Sequence, residues 1–258
     1  MIQFSFNRFA KVAQWSLTND KKYHVKSFLQ TFVILFLVFL FFTVTKVEFN
    51  GNDTFYTACA ISVVVSLLVT IVLGSSFMFY SMDGKHDMQA LLMLPASNFE
   101  KYLIRYSSWI ILLPIQLVAF FSADLVQYIV NALLNHGNVT FVTTEFVNMM
   151  SNGWHKVPAE LHVSFAISIV FLIVWLHSFY ALGATLFRSK KYNWVMTTIV
   201  LILLAVVLCW LFPEGAERVD RMPSLLEVLI GVAWIVVNFW LSYRLFCHQQ
   251  VIGRLVNF

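Results

Sequence analysis

The polar side chains with the clearest capacity for chemistry fall inside long apolar segments. Asp124, Gln127 and Asn131 recur at spacings of three and four residues, so a helix places them on one face. Ionisable groups inside membrane helices are rare and usually face protein or water. At about 1.5 Å per residue, Asp124 lies roughly 33 Å along the helix from Tyr102, near the outer surface. This face is either a polar wall near the exit of a transport path or the wet side of an interfacial helix.

Three further polar residues lie within apolar segments and are weaker candidates for such a path. His177 is either hydrogen-bonded to a neighbouring helix or part of a proton relay. Gln116 follows Pro114 in one apolar segment, and Asn238 lies in the last one. Because Asp124 is the only carboxylate away from the membrane ends, the sequence offers no chain of acids for ion coupling. This weighs against a proton-driven transporter.

Motifs for catalysis are missing from the sequence. It contains no paired acids, no HExxH, no Ser/His/Asp set at a plausible membrane depth and no G-x-x-x-x-G-K-[ST] phosphate loop. Cys59, Cys209 and Cys247 show neither CxxC nor Cys/His spacing, so they are expected to be apolar fillers. We therefore expect no enzymatic activity, no metal and no cofactor bound by this chain.

The composition is that of a polytopic membrane protein. Of 258 residues, 60% are hydrophobic and 12% charged, whereas soluble domains carry about 25% charged residues. The 26 Phe and 8 Trp residues are typical of lipid-facing helices and interfacial belts. The longest polar interval is about 27 residues, which is too short for a soluble domain of about 50–200 residues. Any energy-coupling domain is therefore expected on another chain.

Six segments reach the roughly 20 apolar residues that a membrane span needs. They cover residues 27–44, 55–80, 102–120 or beyond, 161–187, 194–212 and 225–247. The predicted fold is an all-α polytopic membrane protein with six transmembrane helices in a single domain over residues 1–258. Residues 1–26 form an N-terminal helix, 27–247 the six-span bundle and 248–258 a tail. No cleavable signal peptide is expected, because the first apolar run begins only near Ser27.

The distribution of charge predicts the orientation, because six spans put both termini on one side. That side holds 13 of the 17 Lys and Arg residues, namely Arg8, Lys11, Lys21, Lys22, Lys26, Lys85, Lys101, Arg105, Arg188, Lys190, Lys191, Arg244 and Arg254. The positive-inside rule therefore places both termini in the cytoplasm. The acidic residues lean to the other side, with Glu48, Asp53, Glu145, Glu160, Glu214, Glu217, Asp220 and Glu227 outside or near the outer surface.

The N-terminal residues predict an amphipathic helix. The apolar positions recur at spacings of four, three, four and four, and are Ile2, Phe6, Phe9, Ala13 and Leu17. The polar positions lie mostly elsewhere on the helix, and are Asn7, Arg8, Lys11 and Gln14. Such a helix lies in the inner membrane interface, with the basic stretch 21–26 at the lipid headgroups. It is either a membrane anchor alone or a mobile elbow that transmits motion.

The connection between the second and third spans, residues 83–101, carries several local signals. Gly84, with Asp83 and Asp87, ends the second span. Residues 88–94 form a short apolar run that suits a helix, and Pro95 stops it. Ser97-Asn98-Phe99-Glu100 is a capping box that starts the next helix. An exposed element rich in Met and Leu suits a groove on a soluble partner. The alternative is that it folds back into the bilayer interface and contacts only lipid.

The N-terminal helix, the six spans and the Leu-Pro-Ala-Ser-x-x-Glu-Lys segment of residues 94–101 together resemble the permease subunits of the ABC-2 type exporter family. The resemblance covers the whole chain in topology and residues 91–105 in local sequence. It implies that the 83–101 connection is a coupling loop resting on a separate ATPase subunit. The residues that would face the ATPase are Met88, Leu91, Leu92, Leu94, Glu100 and Lys101.

The resemblance also implies a homo- or heterodimer of permeases in the lipid of a bacterial inner membrane, with ATP and Mg on the partner subunits and no nucleic acid. One departure is that many members carry re-entrant helices between spans five and six. Here residues 213–224 are short and polar, and the larger outer loop is 134–160, between spans three and four. The alternative function is a non-transporting scaffold or sensor that recruits soluble partners, and an intramembrane enzyme ranks third.

Overall fold

Every regular element of the described chain is helical. The computed structural model describes residues 4–45, 55–82, 85–134, 139–156, 162–187, 192–211 and 225–248. The helices are α1 (Phe6–Asn19), α2 (Lys21–Thr45), α3 (Phe55–Leu73) with a 3-10 segment (Gly74–Phe79), α4 (Lys85–Met93), α5 (Asn98–Leu133), α6 (Val142–Lys156), α7 (His162–Leu186), α8 (Asn193–Leu211) and α9 (Leu225–Cys247). The all-α prediction is confirmed for these residues.

Among the described residues, six helices are long and apolar enough to cross a membrane: α2, α3 with its 3-10 segment, α5, α7, α8 and α9. They coincide with the six predicted segments, although α2 begins at Lys21 rather than near Ser27. The greatest difference is in α5, which has 36 residues and continues to Leu133. A helix of this length is about 54 Å long, whereas the hydrocarbon core is about 30 Å thick. Part of α5 therefore extends beyond the core.

A helix occupies much of the connection that was expected to be an outer loop. Within residues 134–160, α6 runs over Val142–Lys156. Its apolar residues Val142, Phe146 and Met149 recur at helical spacing and pack into one hydrophobic cluster with α2, α3 and α5. No span is predicted for α6 because this helix is too short and too polar to cross a bilayer.

The chain divides into two compact units. The first consists of Met1–Asn19, Ile71–Trp109 and Ile167–Phe258, and the second of Asp20–Thr70 and Ile110–Ala166. The core of the second unit is the cluster that includes Leu35 and Phe39 of α2 and Cys59 and Val63 of α3. The core of the first unit has two clusters, one around Met78, Leu91 and Phe246 and another of Val12, Ala96 and Ile104.

Small residues let helices of the first unit approach closely. A Cβ atom at Gly183 of α7 would overlap the side chain of Thr197 of α8. A Cβ atom at Gly231 of α9 would overlap the ring of Phe171 of α7 in the same way. Glycine at these points leaves room for a side chain of the neighbouring helix against the backbone, as small residues do where membrane helices pack closely.

Candidate functional site

The start of α5 is built as the sequence predicted. The Ser97 N–H donates to Oε2 of Glu100 at 2.7 Å, and the Glu100 N–H donates to Oγ of Ser97 at 3.2 Å. These reciprocal bonds form the capping box and satisfy two of the backbone donors that a helix N-terminus leaves without a partner. The helix accordingly begins at Asn98.

Glu100 also holds the N-terminal segment against α5. Arg8 donates from Nε to Oε2 at 2.8 Å and from Nη2 to Oε1 at 2.7 Å, and the Ser5 N–H donates to Oε1 at 2.7 Å. A bidentate ion pair of this kind is stronger than a single charged hydrogen bond. The hydrogen bonds that Arg8 donates to Glu100 raise the pKa of its guanidinium. The sequence placed Arg8 on the free polar side of α1, because nothing local indicates a partner 92 residues away.

Helix α4 is also attached to the first turn of α5. The Lys101 ammonium donates to the backbone carbonyl of Leu92 at 2.7 Å, so it satisfies one of the last carbonyls of α4. Leu91 is fully buried in a cluster with Met78 and Tyr102. We call α1, α4 and the first three turns of α5 the α1–α4–α5 assembly. Its second hydrophobic cluster joins Val12 of α1, Ala96 of the connection and Ile104 of α5.

Several residues of the connection that were expected to be exposed are buried within this assembly. Leu91, Glu100 and Lys101 are buried in contacts of the chain itself, and Leu92 and Leu94 are half-buried. The side chain of Met88, and Asp83 and Gly84, lie outside the described residues. The expectation that the whole Met and Leu run is exposed is therefore wrong for Leu91. Among the described residues of α4, the connection and the first three turns of α5, the large apolar side chains that remain exposed are Met93 at 83% and Phe99 at 47%.

The outward face of α1 also differs from the predicted one. Val12 and Ser16 are its buried residues, whereas Phe6 and Leu17 are 73% and 45% exposed. The predicted apolar stripe is therefore divided: Phe9 and Ala13 pack against the cluster around Val12, whereas Phe6 and Leu17 remain exposed. Ile2 lies outside the described residues.

Arg105 is a buried residue of this site that sequence reasoning placed only by its charge. Its guanidinium donates from Nε to the Met78 carbonyl at 2.9 Å, from Nη1 to Oγ of Ser16 at 3.1 Å and from Nη2 to Oγ of Ser81 at 2.5 Å. It thereby joins α5 to α1, to the 3-10 segment and to Ser81 just after that segment. The available signal was an arginine inside a mainly apolar helix, where a charge must have polar partners.

Two predicted path residues lie in the first unit, and each bonds a neighbouring helix. The ring of His177 contacts the Ile71 carbonyl from Nδ1 at 2.6 Å and the Tyr106 hydroxyl from Nε2 at 3.0 Å. Because a carbonyl only accepts, Nδ1 carries the hydrogen and Nε2 accepts from Tyr106. Asn238 donates from Nδ2 to Oγ of Ser178 at 3.0 Å. These contacts correspond to the interhelical alternative rather than to a relay.

A row of hydroxyl groups continues this polar packing and was missed from the sequence. The Tyr102 hydroxyl donates to Oγ of Ser242 at 3.0 Å, and Ser242 donates to the Ala181 carbonyl at 3.0 Å. Nearby, Ser75 donates to the His177 carbonyl at 2.8 Å. Isolated Ser and Tyr residues give no sequence signal of this kind, because only the packing of α5, α7 and α9 brings them together.

The other predicted path residues lie in the second unit. The Asp124 carboxylate accepts from the backbone N–H groups of Val142 at 2.8 Å and Thr143 at 2.9 Å, and from the Thr143 hydroxyl at 2.6 Å. Asp124 therefore caps the N-terminus of α6. It is 2% exposed, so neither the wet-helix interpretation nor an open polar wall describes it.

The two residues that share its helix face are buried as well. Gln127 and Asn131 have no hydrogen-bond partner for their side-chain amides among the described residues. Gln116 donates to the Thr70 hydroxyl, which lies on α3. The structure thus keeps Asp124, Gln127 and Asn131 on one face, as predicted, but directs them into the protein.

The described residues contain no group of three or more His, Cys, Asp or Glu side chains that could hold a metal ion. Comparisons with family models, with curated proteins and with solved structures each find no match. Function is therefore inferred from the contacts of the chain itself and from the resemblance of its connection and topology.

Proposed function

We propose that the chain is the membrane-spanning permease subunit of an ATP-driven ABC exporter. It lies in a bacterial inner membrane with both termini in the cytoplasm, and pairs with a second permease as a homo- or heterodimer. ATP and Mg bind to separate ATPase subunits, and the chain itself performs no hydrolysis. The observation that carries this proposal is the α1–α4–α5 assembly, in which Lys101 and Leu91 attach the short helix α4 to the start of α5.

A coupling element must transmit a displacement of the ATPase to the membrane helices, so it must be firmly attached to them. Lys101 bonds the end of α4, Leu91 anchors its buried side, and Glu100 ties the start of α5 to α1. When the ATPase pair closes on ATP, a displacement of α4 would move α5 and α1 with it. This favours an elbow role for α1 over that of a membrane anchor alone.

The partner contact is proposed for the exposed side of the assembly. Met93 and Phe99 supply the large apolar side chains there, with Gln89, Pro95 and Asn98 also exposed. Flexible methionine and aromatic side chains suit a partner groove. Among the residues implied by the resemblance, Leu91, Glu100 and Lys101 would then act by holding the element in place, because they are buried.

The test is affinity purification from the native host in mild detergent, followed by mass spectrometry and an ATPase assay in lipid. We expect a stoichiometric nucleotide-binding partner. The double variant Met93→Asp/Phe99→Asp should lose that partner and its hydrolysis while still inserting in the membrane. Leu133→Asp, at an exposed apolar residue near the C-terminal end of α5, is the control and should retain the partner.

A double change of Leu91 and Leu92 to Asp is a less specific test. It should also abolish partner binding, but a carboxylate at the buried Leu91 would disrupt the assembly itself. A chain that purifies alone, or only with partners that are not ATPases, would contradict the permease proposal and favour the scaffold alternative.

A further inference from the structure

Two rows of exposed side chains run along the first turns of α2. At four-residue spacing, one row has Lys21, Val25 and Leu29, and the other has Lys22, Lys26 and Gln30. A groove of about 410 Å³ lies between the rows and is lined by these same six residues. The lining surface is almost entirely apolar, so the lysines contribute mainly their methylene stems and their ammonium groups border the groove.

The groove opens onto a longer apolar surface of the same helix. The first row continues with Val33, Leu37 and Phe41, which are 46%, 57% and 58% exposed, and the second continues with Ile34 at 60%. From Gln30 to Phe41 the helix rises about 16 Å, close to half of the roughly 30 Å hydrocarbon core. One end of the surface is thus cationic, and the other matches the depth of one lipid leaflet.

The charges at the groove are not neutralised within the described chain. Lys21, Lys22 and Lys26 are exposed, and none of them forms an ion pair with an acidic side chain among the described residues. The adjacent acid, Asp20, is 3% exposed and lies in the protein. An unbalanced cluster of three ammonium groups favours an anionic ligand.

We propose that this groove is a binding site for one anionic phospholipid. The phosphate lies among the three lysines, the Gln30 amide donates to the phosphate or ester oxygens, and an acyl chain follows Leu29, Val33 and Leu37. Lysines near an anionic leaflet attract it by about 1 kcal/mol each, and the apolar track selects a lipid over a soluble anion. The site goes beyond the proposed transport function and does not depend on it.

The test uses native mass spectrometry of the purified full chain in detergent, mixed with equal amounts of phosphatidylglycerol and phosphatidylcholine of matched chains. The wild type should carry a first lipid that is mainly phosphatidylglycerol. Lys21→Gln/Lys22→Gln/Lys26→Gln should bind the two lipids about equally. If that variant does not express, Lys22→Gln and Lys26→Gln should each lower the preference about fivefold, the equivalent of about 1 kcal/mol.

The control is Lys11→Gln, which removes another exposed lysine from α1 and should leave the preference unchanged. Glycerol 3-phosphate, which has the anionic group but no acyl chains, should not displace the lipid. Three results would overturn the proposal. They are a wild type that does not prefer phosphatidylglycerol, a Lys11→Gln variant that loses as much of this preference as the triple variant does, or displacement of the bound lipid by glycerol 3-phosphate.

Discussion

At the scale of single residues, burial separates neighbours that look alike in the sequence. The run Leu91-Leu92-Met93-Leu94 is apolar throughout, so its periodicity does not indicate which side faces the protein. In the structure Leu91 is fully buried and Met93 is 83% exposed. The capping box was predictable because its two partners are three residues apart, whereas the partner of Arg8 is distant in the chain.

The first prediction compares these two positions. Leu91→Ala should lower the free energy of unfolding by about 2–5 kcal/mol, because it leaves a cavity among well-packed side chains. Met93→Ala removes a similar side chain from the surface and should change stability by less than about 0.5 kcal/mol. Thermal unfolding of both purified variants in the same detergent measures the difference. Equal losses would show that α4 does not pack as described.

The second prediction concerns the ion pair of Glu100 and Arg8. Glu100→Gln keeps the size of the side chain but removes the carboxylate, whose two oxygens accept hydrogen bonds from Nε and Nη2 of Arg8. We expect α1 to detach more often, so trypsin should cleave after Lys11 several-fold faster than in the wild type. The control is Asn98→Gln, which changes an exposed residue near Glu100; trypsin should cleave this variant at the wild-type rate. An unchanged rate in Glu100→Gln would show that the pair does not hold α1.

At the scale of elements, the six spans were predictable because each needs only a long apolar run. Helix α6 was not, since it is amphipathic and its apolar face is recognisable only against α2, α3 and α5. The role of Asp124 was missed for the same reason. Its carboxylate caps a helix that begins 18 residues later, and no local pattern joins the two.

The third prediction follows from that cap. Asp124→Ala leaves the N–H groups of Val142 and Thr143 without an acceptor and should destabilise the start of α6 by about 1–2 kcal/mol. Hydrogen exchange of the first amides of α6 should become faster. Ser122→Ala is the control, because its hydroxyl bonds only a carbonyl of its own helix in the described contacts. Unchanged exchange in Asp124→Ala would contradict the capping role.

At the scale of the whole molecule, the proposed coupling requires that the exposed side of α4, around Met93, faces the cytoplasm. Charge distribution predicts that the connection before α5 is cytoplasmic and that α6 lies on the opposite side of the membrane. This orientation stays a prediction from the sequence, in which each loop contributes independently to the charge bias. The sequence does not show which residues of α4 could contact a partner, because these depend on which side of α4 the rest of the chain covers.

The most direct measurement is photo-crosslinking in the native host, with a crosslinking amino acid at position 93. Position 148, which is exposed on α6, serves as the control. We predict that position 93 captures a nucleotide-binding ATPase subunit and that position 148 does not. Capture of lipid alone or of a protein without a nucleotide site from position 93, or of the ATPase from position 148, would contradict the proposed coupling.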